Sequence, residues 1–180
     1  IYCFEIVPET FSKLQVHISD KRVKLNNIGL GDSSRNIVVE HFPKNAGVST
    51  GGAHKGIHPD ESIQLNLPIV RGDDYCRDNN IQNISMLKID VEGMEMEVIK
   101  GFSDMIRRGA VDAVQFEYGM ANIFSRNLLK DFYDYFESAG FAVGKIFPYC
   151  VDFGAYRPQL EDFRGPNFLA VRKENVKYFK

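Results

Sequence analysis

The sequence predicts an α/β fold: a mostly parallel sheet with helices on both faces, closed by an antiparallel pair. Three observations carry this. Extended apolar runs alternate with helical patterns along most of the chain, the signature of strands joined by crossover helices. Residues 86–101, MLKIDVEGMEMEVIKG, pass from an apolar run through an acidic turn straight into a helix. Two late extended segments, 141–147 and 167–172, are joined by a Tyr-, Pro- and Gly-rich loop and suit antiparallel pairing.

Residues 1–7 read as a strand ending at Glu5, and Pro8 opens a helix over 8–19 with Phe11, Leu14, Gln15 and Ile18 on one face. A second strand is expected over 23–30, closed by the turn GLGD at 29–32. Residues 36–42 alternate polar and apolar, as an edge strand does. Residues 44–62 form a Gly-, His- and Ser-rich stretch, long enough for a lid or binding loop. An extended segment follows over 63–70, containing Pro68, and a short helix over 73–80.

In the central stretch Met86, Leu87, Ile89 and Val91 supply the buried strand, and Met94, Val98 and Ile99 recur at helical spacing up to Gly101, a helix stop. Residues 110–118, AVDAVQFEY, form the next strand. An amphipathic helix over 128–139 places Leu128, Leu129, Phe132, Tyr135 and Phe136 on one side and stops at Gly140. There is no internal repeat or interdomain linker, so residues 1–180 are expected to form a single domain.

Composition narrows the partners. The chain is 44% hydrophobic and 26% charged with a net charge of −2, which gives no electrostatic case for nucleic acid or an anionic membrane. No apolar run reaches the roughly 18 residues of a membrane span. Cys3, Cys76 and Cys150 are odd in number and widely spaced, which suits reduced thiols and a cytoplasmic setting better than disulfides or a zinc site. The opening IYCFEIVP has no initiator Met and starts inside a strand-like run, so an upstream segment is expected.

Candidate chemistry collects at strand ends, where open α/β sheets bind ligands. Glu5 reads two ways. A carboxylate there accepts hydrogen bonds from ribose hydroxyls, or it stabilises the N-terminus of the following helix. Asp32 either accepts from an adenine amine or is an ordinary turn Asp after Gly31. Asp90 and Glu92, two apart and so on one face of a strand, suit a cationic ligand, a substrate hydroxyl or a divalent metal. The alternative is helix capping with a salt bridge to Lys88 or Lys100. Glu117 ends the next strand and is expected to face the same crevice. Three acids at strand ends favour a functional role over a structural one. His54 and His58 are either proton acceptors for a substrate hydroxyl or solvated loop residues. There is no GxxxxGK, G-x-S-x-G or zinc motif.

Together FEIVPETF at 4–11, NIGLGD at 27–32, GVSTGG at 47–52, LKIDVEGMEMEVIKG at 87–101, FEYG at 116–119 and NFLAVRK at 167–173 resemble the FkbM-type family of S-adenosylmethionine-dependent methyltransferases. The resemblance covers nearly the whole chain and is most specific at 87–101. It implies a Rossmann-like class I methyltransferase sheet with an antiparallel C-terminal hairpin. It also implies S-adenosyl-L-methionine as cofactor, with Glu5 at its ribose, Asp32 near its adenine and Asp90 near its methionine end. Glu92 would lie close to a small-molecule or glycan acceptor, since such proteins O-methylate sugars, glycan termini or natural-product hydroxyls; Glu117, at the end of the neighbouring strand, is the further candidate for binding that substrate. The family's first strand and its D-x-G-A-N-x-G turn have no counterpart here, so the chain is expected to be N-terminally incomplete and to bind the cofactor poorly by itself.

The implied reaction is displacement at a sulfonium methyl by a hydroxyl, assisted by a base drawn from Asp90, Glu92, His54 and His58. A cation held by the acids is the alternative means of activating the hydroxyl. Two rival readings are a non-catalytic module with a degenerate methyltransferase fold and a nicotinamide-dependent dehydrogenase. The dehydrogenase gives no role to DVEG.

Overall fold

The computed structural model describes residues 1–43 and 61–179. Its first half runs β1 (Tyr2–Phe4), α1 (Pro8–His17), β2 (Lys24–Asn26), β3 (Gly29–Gly31), β4 (Arg35–His41), β5 (Ile63–Arg71) and α2 (Gly72–Asp78). The second half runs β6 (Leu87–Ile89), α3 (Glu95–Gly101), α4 (Ser103–Arg107), β7 (Ala113–Gly119), α5 (Ala121–Ser125), α6 (Leu129–Ser138), β8 (Phe141–Phe147), β9 (Cys150–Phe153) and β10 (Arg164–Arg172).

Among the described residues the strands form three sheets, ordered β6-β7-β10-β8-β9, β3-β5-β4 and β1-β2. The pairs β1–β2, β3–β5 and β6–β7 are parallel, whereas β4–β5, β7–β10, β8–β10 and β8–β9 are antiparallel. The expectation of a mostly parallel sheet is therefore corrected to mixed sheets. The late strands do pair antiparallel, as expected, but not as an edge hairpin. β10 inserts between β7 and β8, and the edge is the short strand β9, within the stretch expected to be a Tyr-, Pro- and Gly-rich loop.

The strand expected over 23–30 is also divided. β2 pairs with β1 and β3 with β5. Between them, the Asn27 side-chain amide donates to the carbonyls of Glu5 (2.8 Å) and Ile6 (3.2 Å), anchoring the chain where it changes sheets.

The five-stranded sheet divides its apolar residues by strand parity. Phe168 and Ala170 of β10 join Val114, Phe116 and Tyr118 of β7 in the main core, while Leu169, Val171 and Ala113 form a smaller cluster on the other face. Phe116 stacks on Phe132 of α6 at 4.7 Å between ring centroids, with Phe136 and Phe168 at 5.6 and 5.8 Å. Each such aromatic adds large buried area and about 0.5–1.5 kcal/mol of ring-pair energy. Leu129, Phe132, Tyr133 and Phe136 are the buried face of α6, and Gly140 takes a positive φ of 84° just beyond its end. By contrast, no residue of α1 is fully buried.

Candidate functional site

The acids are brought together by register. Ile89 of β6 pairs with Phe116 of β7 in parallel, and both face the main core. Their successors Asp90 and Glu117 therefore turn to the opposite face side by side. The two carboxyls share a hydrogen bond. Glu92 joins them, so that one ligand atom from each of the three acids lies within 4.8 Å of the others.

Glu92 does not reach this cluster by strand alternation, because β6 stops at Ile89. Its backbone is left-handed (φ 52°) and Gly93 follows at φ 104°. A left-handed Glu is unfavourable and has to be held by its surroundings. Glu95, only 2% exposed, is the holder. Its Oε1 accepts the backbone N–H groups of Val91 and Gly93, each at 3.1 Å. On the other side, a Cβ on Gly93 would stand 3.1 Å from the Ala121 carbonyl oxygen, so α5 abuts the turn.

Electrostatics separate the three acids. Lys88, two residues upstream on the same face, donates to Asp90 Oδ2 at 2.7 Å and lowers the Asp90 pKa. That is the salt bridge the structural reading of Asp90 allowed. Burial, then the charges of Asp90 and Glu95, raise Glu92. Burial, then Asp90, Glu92 and Glu95, push Glu117 up to about 7. Asp90 is thus the ionised member of the pair and Glu117 the one that carries the proton, as neighbouring carboxyls divide when both cannot ionise. A group titrating near neutrality at a strand end is suited to proton transfer.

Glu92 and Glu117 open on a cavity of about 220 Å³, whose walls also include Glu95, Met120, Asn122 and Arg164. Glu95 and Asn122 are functional candidates that pattern reading missed. Asn122 is 2% exposed, and its Oδ1 accepts the Gly119 N–H at 2.8 Å. Its Nδ2 and the Glu95 Oε2 are buried and have no hydrogen-bond partner among the described residues. Glu95 carried one available signal, an acid at the first helical position after a Gly turn, placed to reach back to upstream N–H groups. Asn122 carried none. A more open hollow of about 360 Å³, walled by Met96, Lys100, Asn127, Asp131, Asp134 and Tyr135, shares no residue with this cavity.

The remaining candidates stand apart from the cluster. Glu5 follows β1, and its Oε1 accepts the Val7 N–H at 2.7 Å at the start of α1, the helix-end role foreseen as the alternative. Burial raises its pKa, opposed by that hydrogen bond and by His41. Asp32 follows β3 and pairs with Arg35, which also donates to Glu97 of α3 at 2.8 Å. The Arg35 hydrogen bond holds Asp32 below the usual carboxylate range. His54 and His58 lie outside the described residues. Cys3, Cys76 and Cys150 are free thiols, and burial pushes Cys76 up to about 11. Among the described residues no helix is long and apolar enough to cross a membrane.

The model of the methyltransferase FkbM domain matches residues 1–143. "Methyltransferase 1" of Beauveria bassiana is 29% identical over an alignment covering 58% of this chain and 49% of that protein. "Hexuronic acid methyltransferase AglP" of Haloferax volcanii is 29% identical, with 59% of this chain and 43% of that protein covered. The chain thus spans about half the length of these curated relatives. No solved structure gives a significant match.

Proposed function

The chain belongs to the methyltransferase FkbM domain family, and from that premise we propose that it is the acid-bearing part of an S-adenosylmethionine-dependent O-methyltransferase acting on a hydroxyl of a sugar, glycan or natural product. The sugar is suggested by the hexuronic acid named for the Haloferax relative. The observation that carries the reading is the meeting of Asp90, Glu92 and Glu117 where β6 ends beside β7, the place where open α/β sheets bind ligands. The strand order β6-β7-β10-β8 with β10 antiparallel supports the class I methyltransferase sheet as the architecture.

The donor set fits the cofactor. Asp90, kept ionised by Lys88, suits a positively charged methionine end. Glu5 accepts the Val7 N–H through Oε1, and a carboxylate has acceptor capacity beyond one such bond for a ribose hydroxyl. When bound, S-adenosylmethionine supplies an activated methyl group. The chain's own residues align the acceptor and take up its proton. Glu117 titrates in the range a general base needs, Glu92 orients the hydroxyl, and the Asn122 Nδ2 offers a donor to a second acceptor oxygen.

The test is transfer of radiolabelled methyl from S-adenosylmethionine to uronic acids and neutral sugars, with wild type and Glu92→Gln compared. Methylated sugar from wild type and none from Glu92→Gln is expected. Equal turnover removes Glu92 from the mechanism. Calorimetric titration of S-adenosylmethionine addresses the second reading, a non-catalytic module, which gains from the engagement of Glu5 and Asp32 in contacts within the protein. Absence of both binding and transfer would favour that module.

A further inference from the structure

We propose that Asp90, Glu92 and Glu117 form a binding site for one hard divalent cation, of the Ca²⁺ or Mn²⁺ kind, at the mouth of the cavity behind the acidic turn. Three carboxylate oxygens within 4.8 Å of one another admit a cation about 2.8 Å or less from each, so closure by a few tenths of an ångström reaches oxygen-to-calcium distances. The ligand set is oxygen only, with neither thiol nor imidazole, which suits hard cations and gives softer metals none of their preferred ligands.

Acidic clusters are common without ions; Glu95 sets this one apart. It is 2% exposed, lines the same cavity as Glu92 and Glu117, and leaves Oε2 without a partner among the described residues. A buried carboxylate oxygen without a donor is costly. A cation beside Glu92 and Glu117, or a water on that cation, supplies what is missing. The same charge offsets the mutual repulsion of the acids, beside the Lys88 ammonium that already pairs with Asp90 Oδ2.

The turn geometry suits this purpose, because Glu95 Oε1 grips the Val91 and Gly93 N–H groups and holds Glu92 left-handed toward Asp90. Asn122, whose Nδ2 is also buried without a partner among the described residues, lines the same cavity. As a device that lowers the pKa of an acceptor hydroxyl, the site rests on the methyltransferase reading above and replaces Glu117 as the means of activating that hydroxyl. As a binding site it stands without it.

The experiment is calorimetric titration of Ca²⁺, and separately of Mn²⁺ with paramagnetic resonance detection, into the metal-stripped 180-residue chain. One cation per chain is expected, weakened about tenfold or more by Glu92→Gln and by Glu117→Gln. The surface control Asp134→Asn should match wild type. Circular dichroism checks folding. Should Glu92→Gln fail to fold, Glu117→Gln, which removes a carboxylate repelled by its neighbours, still decides the matter. No binding at about 5 mM cation, above the weakest affinities of such sites, overturns the proposal, as does binding untouched by both variants. Methyl transfer that persists in EDTA, without cation binding, would sink the cation and leave the methyltransferase standing. Cation binding without methyl transfer would do the reverse.

Discussion

Gly101 of α3 lies so close to Gly31 of β3 that a Cβ on Gly101 would stand 2.0 Å from the Gly31 carbonyl oxygen. The contact docks the helix that follows the acidic turn against the three-stranded sheet. A methyl group there has to displace backbone rather than a flexible side chain. Gly101→Ala is expected to cost at least about 2 kcal/mol, in the upper range of overpacking. Urea denaturation followed by circular dichroism measures it. A variant as stable as wild type would mean that this approach is looser than described.

Glu95 should behave differently toward two substitutions. Glu95→Ala removes the acceptor of the Val91 and Gly93 N–H groups and leaves both without it beside a left-handed Glu92. About 2–4 kcal/mol of destabilisation is expected. Glu95→Gln keeps one acceptor oxygen in place and should cost less than half as much. Equal losses from the two variants would show that Glu95 acts through its charge rather than by holding the turn.

Glu161 reaches from the loop after β9 to the start of α6. It accepts the Leu129 and Lys130 N–H groups, each at 3.0 Å, and hydroxyls from Tyr118 and from Tyr156 at 2.9 Å. Burial alone would raise this carboxyl, but those hydrogen bonds bring it below its ordinary value. Its contribution is therefore present above pH 4.5 and lost as pH falls through the folded-state value. Glu161→Ala should cost about 2–3 kcal/mol at pH 7, and less in acid. A loss that stays constant with pH would contradict the carboxylate as the cap.

Much of this arrangement was legible in advance, for identifiable reasons. The acid pair follows from parity. Apolar residues mark Ile89 and Phe116 as core-facing, so the next residue on each parallel strand must share the opposite face. What escaped was set by single side chains. Asn27 divides an apolar run into two strands of different sheets by bonding to the end of β1. β9 is four residues long in a loop-like context and carries too few alternations to be seen. Asn122 lines the cavity next to the contact of Ala121 with Gly93, a tertiary contact with no sequence pattern.

The proton on Glu117 makes the last prediction. Its folded-state pKa is about 7 against an ordinary 4.5, raised by burial and then by Asp90, Glu92 and Glu95, with Lys88 held at Asp90 and Arg164 on the same cavity wall. The native state therefore holds this proton more tightly than the unfolded chain. Its share of stability is fully present below pH 4.5 and declines as pH rises to 7. Glu117→Gln removes that decline. In metal-free buffer the variant should match wild type near pH 4.5 and exceed it by about 1–2 kcal/mol above pH 7, allowing for solvent screening of a half-buried group. Urea titrations at several pH values measure the gap. If the two stability curves run parallel from pH 4.5 to 8, Glu117 is ionised throughout and loses its role as the proton-carrying member of the pair.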